Sequence, residues 1–467
     1  MTCAVLTDSQ VGQIHESALR LLEHTGCRVQ HDGLLARLAQ AGARVDAVAG
    51  RVRWPETLLT SLLECAPAAY AIRGVENGPW TLGKGQPGVL AITNDPWILD
   101  SRCQKPRHPC LDDVRRHTII AQQLDCVKCV SCMDYPVTDF DDALSSLRAL
   151  ETHVLHHAKH YAVFPASLER LRLWRALGQV LNGGDALDGS GLMSCAVAVL
   201  SPLTLSPLNA ELLLAACECG MPILPTVCPM AGATAPYTLA GTLLLAHCEN
   251  LTMAAVTQLL RPGHPFLYGI GPSVTNLRTG HDRYYTLDKA LWKAAGVQLA
   301  RHCGLPGMAE CGGAMPGRLD LQTGAESLLF MLAARGSGAD LLSGLGSCFN
   351  GTGLSAEMMV IQHEWLRAAE FLDRGIAADP ARLAIDNMDA AGPGGDFLTD
   401  TLTLEYARGG EFFETGLFDY GKGKTLLENA HEEVERLAGG FACPLPEQVQ
   451  EDVRRFFYDN LWAKNGM

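Results

Sequence analysis

Residues 221–236 read MPILPTVCPMAGATAP: a short apolar run, a bend rich in Gly, Pro, Ala and Thr, and then, from Leu239, a long apolar helical stretch. That order recurs along the chain and limits the fold more than any other feature. Strands alternating with helices build parallel β/α units, whose active sites sit on the loops that follow the strands. Strand-like runs fall at 127–133, 160–164, 192–200, 222–227, 265–270, 307–311, 340–344 and, last, 383–389. Helical periodicity fills the gaps at 141–157, 168–181, 209–219, 239–260, 288–302, 323–335 and 355–373. Eight such units predict an α/β protein built on a closed (β/α)8 TIM barrel. A doubly wound sheet would place a GxGxxG turn after a strand, and none follows these strand-like runs.

Upstream, Asp8 or Ser9 can cap a helix carrying Val11, Ile14, Ala18, Leu21 and Leu22 on one face, and short alternating runs occupy 68–108. Residues 1–110 therefore read as an appendage packed on a barrel spanning 111–400. Residues 401–467 read as a C-terminal extension with helices near 425–437 and 447–461. The stretch after Gly392 is rich in aromatic side chains: Phe397, Phe412, Phe413, Phe418 and Tyr420.

Hydrophobic residues make up 48% of the chain and charged residues 19%, so a large core is expected. The net charge is −14 and no long basic stripe occurs, which argues against a nucleic-acid partner. Seventeen cysteines in a chain of 467 residues fit reduced thiols in a cytoplasmic, reducing or anaerobic setting better than a disulfide scaffold. No basic-then-apolar leader precedes the first helix. His247, Glu249 and Asn250 interrupt the apolar stretch 239–260, which reads as a buried helix rather than a membrane span.

Local chemistry is sparse. Cys126, Cys129 and Cys132 have metal-like spacing, but on a strand that spacing turns Cys129 to the opposite face. His153, His156, His157 and His160 share a helical stripe that runs into a strand start, and the reading assigns no metal site to either cluster. GxSxG, HExxH and Walker A motifs are missing. Tyr135, Phe164, Tyr237, Tyr268 and Phe349 fall near predicted strand ends, where aromatic faces can hold a quaternary ammonium at about 0.5–2 kcal/mol each. Glu310 ends a strand beside Gly312 and Gly313, whose backbone amides could cradle an anion.

These residues belong to longer runs: CPMAGATAPYTLAGT at 228–242, HCEN at 247–250, RPGHP at 261–265, LDLQTGAE at 319–326, LSAE at 354–357 and GPGGDFL at 392–398. Together, and in this order, they resemble the trimethylamine methyltransferase superfamily, in its larger group that lacks pyrrolysine. The resemblance implies a (β/α)8 barrel that passes a methyl group from a quaternary amine, such as glycine betaine, proline betaine or carnitine, to Co(I) of a separate corrinoid-binding protein. No cofactor would be held tightly, because the partner supplies the cob(I)alamin that becomes methylcobalamin. A quaternary ammonium leaves as a neutral tertiary amine, so positioning can do the work without an acid–base dyad. On this reading Glu310 is the catalytic counter-charge, and Tyr135, Phe164, Tyr268 and Phe349 surround the ammonium. Arg278, Arg283 or the Gly312 and Gly313 amides would take a betaine carboxylate, and the protein is expected to be a homo-oligomer away from membranes. Asp396 and Leu402 depart from the family pattern, where histidines are usual. Two other readings stand beside this one: a zinc-dependent corrinoid methyltransferase using Cys and His ligands, and a barrel that binds a quaternary amine without catalysis.

Overall fold

The computed structural model describes residues 2–76, 78–102, 105–140, 144–418 and 423–462. Its centre is a barrel of eight parallel strands: β1 (Gly88–Ile92), β2 (Val127–Ser131), β3 (His160–Val163), β4 (Met193–Ala198), β5 (Ile223–Thr226), β6 (Tyr268–Gly269), β7 (Gly307–Glu310) and β8 (Leu341–Leu345). Each strand except β5 pairs with the next in sequence, and β8 returns to β1. The β5–β6 seam is the thinnest, closed by Leu267 N–H to Ile223 O at 3.0 Å and Ile223 N–H to Pro265 O at 3.0 Å. The Asn250 side chain reinforces it, donating to Gly269 O at 2.9 Å and accepting from Gly269 N–H at 3.3 Å.

The outer layer consists of α1 (Leu111–Gln123), α2 (Ser145–Leu155), α3 (Leu168–Leu181), α4 (Pro207–Glu218), α5 (Leu239–Leu260), α6 (Asp288–His302), α7 (Leu321–Ser337) and α8 (Ala356–Arg374). Ser167, Ser206, Thr238, Asp320 and Ser355 cap their helices, each side chain accepting from a first-turn N–H that has no helical partner. α5 is apolar on nearly every face because it is covered on the outside as well. The N-terminal helices Asp8–His24 and Glu56–Leu63 pack over it. By length and composition α5 could cross a membrane, but here it lies in the core.

Two expectations change at the barrel ends. The first strand is Gly88–Ile92, inside the stretch assigned to the appendage, so the barrel begins before residue 111. The run 383–389 is not a strand: Pro380–Leu383 and Ile385–Ala391 are short helices, the first started by Asp379 accepting from Arg382 N–H with Pro380 at its first position. The barrel therefore closes with α8 at Arg374, before residue 400. The hairpin Tyr70–Ile72 and Trp80–Leu82 plugs the N-terminal end, packing Tyr70, Ile72 and Leu82 among the interior side chains Leu90, Cys129 and Leu341. A Cβ on Gly88 would stand 2.7 Å from the Trp80 ring, so glycine there admits the plug.

The C-terminal helix Leu426–Gly439 buries Val434 and Leu437 against α1 and α8, and Glu447–Phe457 buries Val453 and Phe457 against α2 and α3. Between α8 and these helices, residues 376–412 cross the surface, exposing Ile376, Leu398 and Phe412. Asp396 and Leu402 lie on this arm, and Tyr420 falls outside the described residues. The predicted helix 141–157 begins outside them too, and its described part is α2.

Candidate active site at the barrel mouth

The C-terminal ends of the strands surround a cavity of about 210 Å³. That is small beside the 300–1,000 Å³ typical of sites for drug-sized molecules, and it suits a ligand of few heavy atoms. Its wall divides by chemistry. Loops after β1, β2 and β3 contribute Asp95, Met133, Tyr135 and Phe164. Glu310 from β7, Lys293 from α6, and Tyr284 and Tyr285 from the loop before α6 form its ionic part.

Glu310 is the centre of a buried ionic cluster. Lys289 Nζ and Lys293 Nζ each lie 3.2 Å from its Oε2, and the Tyr284 hydroxyl donates to its Oε1 at 2.7 Å. Burial alone would raise the Glu310 pKa, but the two ammonium groups and the hydroxyl outweigh it and hold the carboxyl down at about 2. Burial lowers the pKa of Lys289 to about 8, against the pull of Glu310. Lys289 also rests on the Tyr284 ring, 2.9 Å from its centroid, and donates to Pro272 O at 3.3 Å. Lys293 donates to Ile270 O. Two ammonium groups and one carboxylate leave one positive charge in excess. Asn350 fixes the loop that carries Tyr284, accepting from Tyr284 N–H at 2.7 Å and donating to Asp282 O at 2.9 Å. Asn350 has φ +56°, a left-handed conformation that asparagine tolerates.

Asp95 stands in the opposite situation. It is buried, 7% exposed, with no ion-pair partner among the described residues. Burial alone raises its carboxyl to about 7.

Of the residues singled out in the sequence, the structure brings Tyr135, Phe164 and Glu310 to this cavity. It places the others elsewhere. Successive strand residues face opposite ways, so with Gly269 on the cavity Tyr268 points into the helical layer, where its hydroxyl lies 2.9 Å from His247 Nδ1. Phe349 packs edge-on against Trp97, its centroid 6.0 Å away. Gly312 and Gly313 are sites of close approach: a Cβ would fall 2.0 Å from Gly344 O at the first and 2.2 Å from the Tyr285 ring at the second. Arg278 is exposed on the turn between the short strands Ser273–Thr275 and Asp282–Arg283, and half-buried Arg283 does not line the cavity. Glu310 lines the cavity with its charge already compensated by Lys289 and Lys293.

Sequence reasoning missed Asp95, Tyr284, Lys289 and Lys293. A usable signal existed for the lysines. Like charges four apart on one helix repel, so two lysines in the apolar stretch 288–300 call for an anion between them. Asp95 was hidden because its strand was missed.

The three cysteines have separate partners, whereas two of the histidines, His153 and His157, meet each other. Cys129 packs inside the barrel, Cys132 among Val114, Val137 and Ala149, and Cys126 lies 3.0 Å from His363 Nδ1. His153 meets Thr93 and His157, while His160 meets Gly191 O and Ser194. Glu249 and Glu326 are structural: the first accepts from Ser201 and Leu203 N–H, the second from Met315 N–H and Gln322.

The glycine betaine methyltransferase of Desulfitobacterium hafniense (strain Y51) is 26% identical over 92% of this chain and 90% of its own length. The trimethylamine methyltransferase MttB of D. hafniense (strain DSM 10664 / DCB-2) is 24% identical over 97% of this chain and 92% of its own. Among solved structures, the Methanosarcina barkeri monomethylamine methyltransferase aligns with a TM-score of 0.47 at 13% identity, covering 94% of this chain and 89% of that one. The sequence model of the family described as Trimethylamine methyltransferase (MTTB) matches residues 1–449, the whole barrel and nearly all of the helices that flank it, and the chain therefore belongs to that family.

Proposed function

We propose that this protein transfers a methyl group from a small zwitterionic quaternary amine, of the betaine type, to Co(I) of a partner corrinoid protein. Family membership and the two relatives that act on trimethylamine and glycine betaine support the reaction class. The observation that carries the substrate class is the cavity lining, which holds Asp95 and the aromatic Tyr135 and Phe164 together with the excess positive charge of the Lys289, Lys293 and Glu310 cluster. In this reading the trimethylammonium end lies against Tyr135 and Phe164 with Asp95 as its counter-ion, and the carboxylate end turns toward Lys293.

The C–N bond breaks with its electron pair staying on nitrogen, which leaves as a neutral tertiary amine. Co(I) supplies the pair for the new Co–C bond and becomes formally Co(III). The substrate's positive charge fades on the way to the transition state, so Asp95 stabilises the bound substrate at least as much as the transition state. Its contribution is to affinity and orientation rather than to kcat. The walls hold the methyl group toward the mouth, where the corrinoid protein docks, and a closed N-terminal end leaves that approach as the productive one.

The test mixes the purified protein with cob(I)alamin or its corrinoid partner and a panel of glycine betaine, proline betaine, carnitine and choline, following corrinoid absorbance. Methyl-Co(III) should form with a carboxylated quaternary amine and at least ~10-fold more slowly with choline, which lacks the carboxylate that about 1.4 kcal/mol of interaction would recognise. Failure of every amine to transfer a methyl group or to bind by calorimetry would overturn the reading.

A further inference from the structure

A second cluster of potential ligands lies outside the mouth, where the N-terminal helix Asp8–His24 crosses α5 and α6. His15 from the N-terminal helix, His247 from α5 and Cys303 at the end of α6 bring one ligand atom each within 4.8 Å of one another. His15 Nδ1 lies 3.1 Å from His247 Nε2 and 3.8 Å from Cys303 Sγ. A tetrahedral zinc with Zn–N of about 2.05 Å and Zn–S of about 2.3 Å sets its nitrogens ~3.4 Å apart and a nitrogen and sulfur ~3.6 Å apart. Both distances from His15 are within a few tenths of an ångström of that geometry. His247 is fully buried, and its other ring nitrogen is 2.9 Å from the Tyr268 hydroxyl, the kind of outer contact that orients a ligating imidazole. Exposed His302, next to Cys303, packs edge-on against His15 with centroids 4.8 Å apart, so a fourth ligand can come from its ring or from water.

We propose that His15, His247 and Cys303 bind one zinc ion that clamps the N-terminal helix to the barrel wall. Two neutral imidazoles and a thiolate are a borderline-soft donor set, which selects zinc over calcium or magnesium. None of the three residues lines the mouth cavity, so the ion's work is to hold the helix. It also gives a purpose to the Tyr268 side chain on the outside of β6. The proposal is independent of the methyl-transfer reading.

The test uses the full-length protein, purified without chelator and with any histidine tag removed. Elemental analysis should find about one zinc per chain, and removing it should lower Tm in a way that added zinc restores, as linkage requires. Cobalt added to the metal-free protein should give a thiolate-to-cobalt band in the near ultraviolet. Cys303→Ser, a near-isosteric change whose folding is checked by circular dichroism, should lose the band and most of the zinc. His15→Gln should do the same without touching the thiol. Less than ~0.1 zinc per chain with no cobalt band would leave only a hydrogen-bonded histidine pair and overturn the proposal. Undiminished zinc in Cys303→Ser would equally overturn it, as adventitious binding.

Discussion

Glu310 and Asp95 line the same cavity, and their surroundings differ. Glu310 has two ammonium nitrogens at 3.2 Å and a phenol at 2.7 Å, while Asp95 is buried with no ion-pair partner among the described residues. One carboxyl is held down at about 2 and the other is raised to about 7. Position at a strand end does not decide which carboxylate a cation can use. That depends on what the fold has already placed against it. Glu310 ends its strand as a catalytic residue would, yet its charge is committed internally. Asp95 follows a strand too short to stand out, and its charge is available.

The largest effect expected from breaking this contrast is on stability. Glu310→Gln leaves two buried ammonium groups facing each other, and removing one partner of such a cluster costs about 3–5 kcal/mol. Urea unfolding at pH 7 reads this directly. The sign with pH follows from the depressed carboxyl. In the wild type the Glu310 contribution is fully present above about 4.5, the ordinary glutamate value, and fades as pH falls toward about 2. The variant should lack that acid-sensitive component. A change under about 0.5 kcal/mol would mean that the ion pairs contribute no more than an exposed surface pair.

Asp95→Asn should act the other way. Its folded pKa is raised, so the folded state holds a proton that the unfolded chain releases, and stability from this group falls as pH climbs from about 4 to about 7. Asparagine removes that slope and leaves the protein as stable or more so at pH 8. Binding should suffer instead: affinity for a quaternary amine drops about tenfold or more, or ~1.4 kcal/mol. In the wild type that affinity should rise nearly tenfold per pH unit below about 7 and level off above it, because only the ionised carboxylate pairs with the cation. Calorimetry from pH 5.5 to 8.5 on both proteins separates the outcomes. Equal affinities and parallel pH profiles would remove Asp95 from the site.

The barrel was legible because seven of its strands are apolar runs set between helices at regular intervals, a pattern fixed by burial on both faces. β1 was not, since Gly88–Ile92 is only five residues long and is bracketed by turn residues. Missing it displaced one strand, pushed the eighth assignment onto a helical stretch, and concealed Asp95. The site residues failed for a finer reason. Tyr268 was placed correctly at a strand end but one residue out of phase, and alternation then sends the ring to the wrong side. Lys289 and Lys293 were readable only as a repulsive pair, and their partner on β7 lies 17 to 21 positions further along the chain. Sequence periodicity reports local faces, whereas the ionic cluster exists only once β7 and α6 are packed together.

The smallest expected effect sharpens the comparison from outside the cavity. Arg278 satisfied the electrostatic argument for a carboxylate subsite on charge alone. In the fold it is exposed, with its backbone N–H bonded to Asn276 Oδ1 at 3.1 Å in a surface turn. A charge in that position interacts through water and salt, with a screening length of about 8 Å at physiological ionic strength. Arg278→Ala should therefore leave affinity for a carboxylated quaternary amine within about 0.5 kcal/mol of wild type, and stability within the same margin. Titrations at low and high salt make this a strict test, because a long-range contribution would emerge only at low salt. If Arg278→Ala weakened a betaine but not choline, the carboxylate would have to reach the hairpin, and Lys293 would lose its assignment as the group that receives it.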